Sequence, residues 1–240
     1  MTVQIVEILR PAEQGRSGPY VCRGEDGSTY FVKGRNTGRR SQITEWICAH
    51  LARELGLPLA PFEMVEIVPE LLAETPKNMR EVGAGLSFGS REYPQALWFE
   101  LDQVGKTDIR LQRDILVFDW WVHNTDRLSS NSNLLWDATR EKLVVIDHNM
   151  AFDPVFVPRE FLDYHIFRRQ ADHILEDLVE QAVYQDRLRN ALAAWDTAVN
   201  SIPDTWWWVD DECTVATEFD IEAAHSLLQR CESGNFWGMA

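Results

Sequence analysis

The sequence predicts an α+β fold in two lobes: a small, antiparallel, β-rich N-terminal lobe with one helix, then a mostly helical C-terminal lobe. Two observations lead to this prediction. Apolar residues alternate with a period near two in the first third of the chain, as in strands, and recur every three or four residues from about residue 160 onward, as in helices. The character of the chain changes after Asp102. The lobes are therefore expected to comprise residues 1–102 and 103–240.

Short alternating segments define the strands of the first lobe. Asp26 and Gly27 have the composition of a hairpin turn between two of them. The predicted strands are VQIVEIL (3–9), YVCR (20–23), TYFVK (29–33), FEMVEIV (62–68) and ALWFEL (96–101). The glycine-rich stretch GAGLSFGS (83–90) is predicted to be a loop.

Helical spacing is clearest in residues 41–56, where isoleucine and leucine recur at every fourth position. Ser41 is expected to cap the start of this helix and Gly56 to end it. A buried helix is predicted over residues 109–123. A short hairpin (133–147) and helices within 161–183, 185–202 and 220–231 complete the second lobe.

Composition limits the classes of function. The 240 residues carry a net charge of −15, from 23 basic and 38 acidic residues, which disfavours nucleic acid and anionic membrane as partners. The four cysteines contain no CxxC pair, so a reducing cytoplasm is expected. The N-terminus lacks the pattern of a signal peptide, and no apolar run approaches the length of a membrane span. The chain is thus expected to be soluble and unsecreted.

Two residues of the first lobe have the properties that phosphoryl transfer requires of a cation and its anchoring acid. Lys33 ends a predicted strand, and the alternative for it is an ordinary lysine in solvent. Glu45 lies on the small-residue face of the following helix, where it is expected to meet a partner. Glu54 is the second choice, because the last turn of a helix disfavours an acid.

Two acids of the second lobe fit the remaining requirements, which are an acid that orients the acceptor hydroxyl and oxygen ligands for Mg²⁺. Asp126 precedes Asn131 by five residues, the spacing of a kinase catalytic loop. Asp147 follows an apolar strand, where a carboxylate is costly to bury unless a positive partner such as Mg²⁺ meets it. The alternative for Asp147 is a helix or turn cap.

Several motifs together resemble those of the HipA-like kinases, in particular the short HipA-like domains. The resemblance covers roughly residues 15–155. It is carried by YFVKG, TEWICAHLARELGLP, FGSREY, DWWVHNTDR with NSNLL, and VVIDHNMAF.

This resemblance implies a protein-kinase-like fold and an ATP- and Mg²⁺-dependent transfer of phosphate to a protein Ser/Thr hydroxyl. Lys33 would contact phosphate, Glu45 would anchor Lys33, Asp126 would be the catalytic base and Asp147 a metal ligand. Long relatives are bacterial toxins restrained by an antitoxin, so a companion protein is an expectation. The substrate does not follow from the fold.

Two details stay open at this point. The family's metal-binding asparagine usually stands directly before the hydrophobic strand, which fits Asn133, whereas the five-residue spacing fits Asn131. The segment GRSGP (15–19) stands where a phosphate loop belongs, so Ser17 and Gly18 are candidate nucleotide contacts. In the family a serine of this loop is a site of autophosphorylation, which makes Ser17 a candidate regulatory residue.

The remaining polar and aromatic features have competing interpretations. Arg127 is a candidate structural or phosphate contact, and His123 and His148 are expected to hydrogen-bond around the site. The basic run Arg35, Arg39 and Arg40 fits an anion site less well than a solvated turn. The three tryptophans at 206–208 are expected to pack between C-terminal helices, with a partner-contacting anchor as the alternative.

Two other functions compete with a protein kinase. A small-molecule phosphotransferase would use a similar set of acids and an acidic acceptor pocket among the C-terminal helices. A catalytically inactive kinase-like module would bind nucleotide or a partner without turnover.

Overall fold

The computed structural model describes residues 2–13 and 18–238. Two compact units make up the chain, and each combines separate stretches of sequence. The first unit comprises Met1–Trp46, Ala60–Pro94 and Ile202–Phe219, and the second comprises Ile47–Leu59, Gln95–Ser201 and Asp220–Ala240. The β-rich N-terminal part and the helical C-terminal part of the α+β prediction are both present. The division of the chain at residue 102 stays a prediction.

Five strands form a closed barrel in the first unit, in the order β1-β2-β3-β5-β4. Their bounds are β1 Thr2–Pro11, β2 Tyr20–Gly24, β3 Thr29–Lys33, β4 Phe62–Ile67 and β5 Gly85–Arg91. The predicted hairpin between β2 and β3 is confirmed: Gly27 has φ +77°, and the Tyr30 hydroxyl donates to Oδ2 of Asp26 over 2.9 Å. Apolar side chains from four strands, including Ile5, Cys22, Val32 and Val65, fill the interior.

The barrel corrects two predictions for the N-terminal part. The sheet is not wholly antiparallel, because β1 pairs with β4 in parallel and so closes the barrel. The glycine-rich stretch predicted to be a loop is strand β5 instead. Its Gly89 lies where a Cβ atom would be 2.5 Å from Cγ1 of Val65, so the glycine permits a close approach inside the barrel and does not mark a loop.

The expectation of one helix in this part is not confirmed, because α1 (Arg39–Leu55) is followed by the short α2 (Pro69–Glu74). Helix α1 begins two residues before Ser41, so the predicted N-cap is wrong: Ser41 lies within the first turn. The predicted end is confirmed, with Gly56 at φ +89° directly after the helix. The division between the two units falls inside α1, after Trp46.

The second unit contains a small sheet in the order β6-β7-β8 and most of the helices. The strands are β6 Leu97–Trp98, β7 Leu134–Asp137 and β8 Lys142–Val145. The helices are α3 Ile109–Trp121, α4 Pro158–Tyr164, α5 Ala171–Leu175, α6 Leu178–Leu192, α7 Trp195–Asn200 and α8 Ile221–Gln229. The predicted hairpin and buried helix are confirmed by β7–β8 and α3, whereas the long C-terminal helical stretches are interrupted by short turns.

Helix α3 is held at both of its ends. Asp108 caps its start by accepting a hydrogen bond from the backbone N–H of Leu111 over 3.0 Å. At the other end, the indole N–H groups of Trp120 and Trp121 donate to the carbonyls of Phe236 and Leu228. The loop that follows α3 therefore starts from a fixed point.

The tryptophan cluster does not pack between the C-terminal helices as expected. Trp206 is fully buried in the first unit, where its indole N–H donates to the carbonyl of Leu86 in β5 over 2.8 Å. Its ring meets that of Trp46 edge to face at 6.3 Å. Within the described residues, the helices are too short or too polar to cross a lipid bilayer.

Candidate functional site

Lys33 and Glu45 form a buried ion pair in the first unit. Lys33 ends strand β3, and its Nζ donates to Oε1 of Glu45 on α1. Only 6% of Lys33 and 2% of Glu45 are exposed, so the alternative of a lysine in solvent is wrong. Glu54, the second choice for the partner, is exposed.

Local contacts explain why these two side chains meet. The side chain of Gln42 donates to the backbone carbonyl of Lys33 over 2.7 Å, which joins the first turns of α1 to the end of β3. Glu45 lies three residues after Gln42, on the same helical face. The next residue after Lys33 must be small, because a Cβ atom on Gly34 would lie 2.1 Å from the carbonyl oxygen of Val82.

Gly18 lies beside the turn that follows β3. Its backbone carbonyl accepts a hydrogen bond of 2.7 Å from the side chain of Asn36, and its φ is +61°. Gly18 is thus linked to the segment that starts at Lys33. Ser17, the other predicted nucleotide contact, lies outside the described residues.

The basic run after β3 is largely engaged within the protein. Arg35 forms an ion pair with Asp211, and Nη1 of Arg39 donates to Oε1 of Gln42 over 2.8 Å. Burial, together with the charge of Arg35, lowers the pKa of Arg39 to about 10. A solvated turn, the favoured interpretation from sequence, does not describe Arg39, which is 6% exposed.

Asp126 and both candidate asparagines come together in the loop between α3 and β7, residues 122–133, which we call the Asp126 loop. The side-chain amide of Asn131 donates to Oδ2 of Asp126 over 3.0 Å. That of Asn133 donates to the same oxygen over 3.1 Å and to the backbone carbonyl of Asp126 over 3.0 Å. Among the residues that the structure describes, Oδ1 of Asp126 accepts no hydrogen bond.

Asp147 lies next to this group through the β7–β8 ladder. The backbone N–H of Ile146 donates to the carbonyl of Asn133 over 3.2 Å, which extends the ladder by one pair beyond Leu134 and Val145. Asp147 is the next residue, half-buried, and its Oδ1 accepts from the N–H of Asn149 over 3.3 Å. Asn133, a member of this pair, thus supplies an amide, and Asp147, which follows the other member Ile146, supplies a carboxylate.

The backbone is unusual at both positions. Asn133 has φ +47° and Asp147 has φ +58°, in the left-handed region that Asn and Asp adopt more readily than other non-glycine residues. Such conformations cost about 1–3 kcal/mol each and concentrate at functional sites. Their presence on opposite sides of the ladder supports a site here.

A buried charged network that was not predicted from the sequence supports the Asp126 loop. Asp119 on α3 accepts hydrogen bonds from Nε of Arg127 over 2.6 Å and from Nε2 of His165 over 3.0 Å. Burial alone would raise the pKa of the Asp119 carboxyl, but the Arg127 guanidinium and His165 hold it well below its usual range. Burial lowers the pKa of His165 in spite of this carboxylate, so the ring is neutral.

Arg127 links that network to the site. Its Nη1 donates to the backbone carbonyls of Asn133 over 2.7 Å and Ile146 over 3.1 Å. From the sequence, Arg127 was a candidate for a structural contact or a phosphate contact, and these hydrogen bonds show the structural contact. One signal in the sequence could have indicated that Arg127 pairs with an acid. Asp119 is the single acid inside the apolar run ILVFDWWV, and an acid buried there requires a cationic partner.

The two histidines near the site pack against aromatic rings. His123 stacks on Phe156 with ring centroids 3.8 Å apart, and His148 meets Phe118 edge to face at 5.4 Å. Burial lowers the pKa of His123 to about 3. His123 is therefore a neutral packing group at ordinary pH.

Oxygen donors suited to a divalent cation are present. The carboxylate of Asp147 and the amide oxygen of Asn133 are hard ligands of the kind that Mg²⁺ prefers, and Mg²⁺ usually takes only one or two carboxylates besides phosphate oxygens. Within the described residues, no group of three or more His, Cys, Asp and Glu side chains is arranged to hold a metal. The donor set thus fits a cation shared with a bound phosphate chain.

Comparison with known proteins identifies the family. A family model described as HipA-like kinase matches residues 5–240, which extends well beyond the motifs recognised in the sequence. Among solved structures, the crystal structure of a Helicobacter pylori proinflammatory kinase, CtkA, matches 95% of this chain and 92% of its own, at 15% identity and a TM-score of 0.46. No curated protein matches. Because the family model covers nearly the whole sequence, the chain belongs to the HipA-like kinase family.

Proposed function

We propose that this protein is an ATP- and Mg²⁺-dependent kinase that transfers the γ-phosphate to a serine or threonine hydroxyl of a protein. The observation that carries the proposal is the carboxylate of Asp126, which two asparagine amides hold through one oxygen. The other oxygen is left to receive a proton from an acceptor hydroxyl. Orientation of this kind is what the acid of a kinase catalytic loop provides.

The first unit would bind the phosphates of the nucleotide. Lys33 supplies the cation, and Glu45 keeps its ammonium group in place through the buried ion pair. Gly18 and Ser17 would contact the phosphates through their backbone N–H groups. The glycine at position 18 suits that approach because it adopts a positive φ.

The second unit would carry out the transfer. Asp147 and Asn133 are the proposed metal ligands, because the ladder pair of Asn133 and Ile146 brings their backbones together. Mg²⁺, when bound, neutralises charge on the phosphates. Asn131 is the weaker candidate and would instead orient Asp126, to which its amide donates. Asp126 takes the proton of the acceptor hydroxyl while the hydroxyl oxygen attacks the γ-phosphorus, the bond from that phosphorus to the β-phosphate oxygen breaks, and ADP leaves.

We also propose a protein-kinase-like fold, with residues 1–102 as the N-terminal lobe and residues 103–240 as the C-terminal lobe. We further propose that the protein works in a reducing cytoplasm. A companion or antitoxin protein, as in the toxin members of the family, remains a proposal as well.

The direct test is transfer of labelled phosphate. The protein is incubated with γ-labelled ATP and Mg²⁺, alone and with lysate, and labelled products are identified by mass spectrometry. We expect Asp126→Ala and Asp147→Ala to lower transfer by roughly 100-fold or more, since a positioned acid–base group contributes about 10²–10⁴-fold. Asp196→Ala, at an exposed position on α7, is the matched control and should retain full activity. Equal activity of wild type and both site variants would contradict the proposal.

A further inference from the structure

A pocket of about 280 Å³ lies beside the Asp126 loop within the second unit. The Asp126 loop supplies one wall, and the other wall comes from the segment between Asp153 and α4 and from α4 itself. The residues that line it are Asn124, Thr125, Arg127, Leu128, Asp153, Val155, Val157, Glu160, Phe161, Tyr164 and His165.

The position of the pocket connects it to the proposed catalytic acid. Thr125 and Arg127, the two neighbours of Asp126 in the chain, both line it. The hydroxyl of Thr125 donates to Oδ2 of Asp153 over 3.1 Å, so the two walls are joined directly beside Asp126. A group bound in the pocket would therefore lie close to an acceptor hydroxyl at Asp126.

The charge of the pocket is negative. Asp153 and Glu160 contribute two carboxylates, whereas the only cationic side chain in the lining, Arg127, is fully buried and paired with Asp119. His165 is neutral because burial lowers its pKa. Asp153 is held by hydrogen bonds from the Thr125 hydroxyl and from the backbone N–H of Val155, whereas Glu160 is exposed. Negative charge at these two positions favours a cationic occupant.

The wall that contains α4 also presents apolar and aromatic side chains. Val155 is 77% exposed and Tyr164 is 62% exposed, whereas Phe161 between them in the chain is buried. An aliphatic chain can lie along such a surface while its charged end reaches a carboxylate, as lysine and arginine side chains commonly do. An aromatic ring adds a favourable face for the cation.

The size of the pocket suits one long side chain. Sites for whole small molecules usually measure about 300–1,000 Å³, and the volume of about 280 Å³ lies near the lower end of that range. An arginine or lysine side chain therefore fits in the pocket.

We propose that this pocket binds one arginine or lysine side chain of the protein substrate, close in sequence to the hydroxyl that is phosphorylated. The proposal rests on the proposed kinase function and specifies its substrate class. Glu160 contacts the cationic group, and the apolar lining holds the aliphatic chain.

Synthetic peptides with one serine test the proposal. An arginine, lysine, norleucine or glutamate is placed in turn at each position near the serine, and KM and kcat are measured with ATP. We expect an arginine or lysine at one position to lower KM at least about fivefold relative to norleucine. Glu160→Gln should raise KM for that peptide about 3- to 10-fold and leave kcat and the KM for ATP unchanged. Glu160→Lys should shift the preference to the glutamate peptide.

Glu222→Gln is the matched control, because Glu222 occupies the first turn of α8 as Glu160 occupies that of α4 and is exposed outside the pocket. It should leave every peptide's KM unchanged. Equal KM values for norleucine and arginine peptides, or an unchanged KM in Glu160→Gln, would overturn the proposal.

Fluorescence anisotropy with labelled peptides separates the kinase function from the role of the pocket. Absence of phosphate transfer to any substrate contradicts the kinase function, whatever the peptides bind. Transfer without tighter binding of the basic peptide contradicts only the role of the pocket.

Discussion

The guanidinium of Arg127 donates from Nε to Oδ2 of Asp119 over 2.6 Å, and neither side chain is exposed to solvent. The same guanidinium donates to the carbonyls of Asn133 and Ile146, the two residues of the last β7–β8 ladder pair. A buried ion pair contributes little net stability against an apolar replacement, yet removing one partner is costly. The pair therefore matters mainly for the position of the Asp126 loop.

Removal of Arg127 should destabilise the protein and disorder the site. We expect Arg127→Met to lower the free energy of unfolding by roughly 3–5 kcal/mol, because Asp119 would remain buried without its cation. Urea unfolding followed by tryptophan fluorescence measures this. Arg189→Met removes an exposed ion pair with Asp186 on α6 and should cost under about 1 kcal/mol. Similar losses in the two variants would contradict the role assigned to Arg127.

The sequence predicts those parts of the site that depend on short-range pattern. Strand alternation determines where the side chain of Lys33 lies, and helical periodicity does the same for Glu45. Only a few residues separate the two in the chain. Asp126 and its asparagines likewise belong to one loop. In both groups, residues that are close in the sequence are also close in the structure, so patterns over a short stretch of sequence predict which side chains meet.

Long-range contacts account for what was missed. Asp119 meets His165, 46 residues later in the chain, and nothing in the local spacing indicates that contact. The glycine-rich composition of residues 83–90 predicts a loop, whereas these residues form most of strand β5. Gly89 is small because the side chain of Val65 on β4 lies close to it. The parallel pairing of β1 with β4 similarly depends on residues about 60 positions apart.

The Lys33–Glu45 ion pair should prove necessary for activity but replaceable for stability. Lys33→Met and Glu45→Leu should each lower the unfolding free energy by about 3–5 kcal/mol, because each leaves one buried charge. The double variant should recover most of that loss, since both charges are absent. Phosphate transfer should be lost in all three, because none retains both the cation for the nucleotide and its anchor.

The exposed pair of Arg23 and Glu7 on the same barrel provides the control for this cycle. Its coupling energy should stay under about 1 kcal/mol, as for surface ion pairs generally. Full activity in the double variant of Lys33 and Glu45 would show that the pair has no role in transfer.

The two asparagines of the Asp126 loop should differ in their effect on the metal requirement. We expect Asn133→Gly to raise the Mg²⁺ concentration for half-maximal activity at least about tenfold, because a ligand is removed while glycine accepts the φ of +47°. Asn131→Ala should lower kcat with little change in that concentration. The assay is phosphate transfer over a Mg²⁺ titration. The opposite pattern would assign the metal to Asn131 and the orienting role to Asn133.

Three histidines whose pKa is lowered by burial should make the stability of the protein depend on pH. Burial lowers the pKa of His50 to about 4, with a further effect of Arg53, and that of His123 to about 3. Burial also lowers the pKa of His165. In the unfolded chain each ring regains a pKa of about 6.5. Below that pH the unfolded state binds protons that the folded state does not, so the free energy of unfolding must fall as the pH falls.

We therefore expect stability to be nearly constant above about pH 7.5 and to decline from about pH 6.5 toward 4.5, with a slope equivalent to the uptake of up to about three protons on unfolding. Urea unfolding across that range measures the slope. His123→Asn should reduce it by about one proton, and asparagine tolerates the φ of +52° at this position. His173→Gln, at an exposed position on α5, is the control and should leave the slope unchanged. A flat profile between pH 6.5 and 4.5 would mean that these rings take up protons inside the folded protein, which is incompatible with their neutral packing against Phe156 and Asp119.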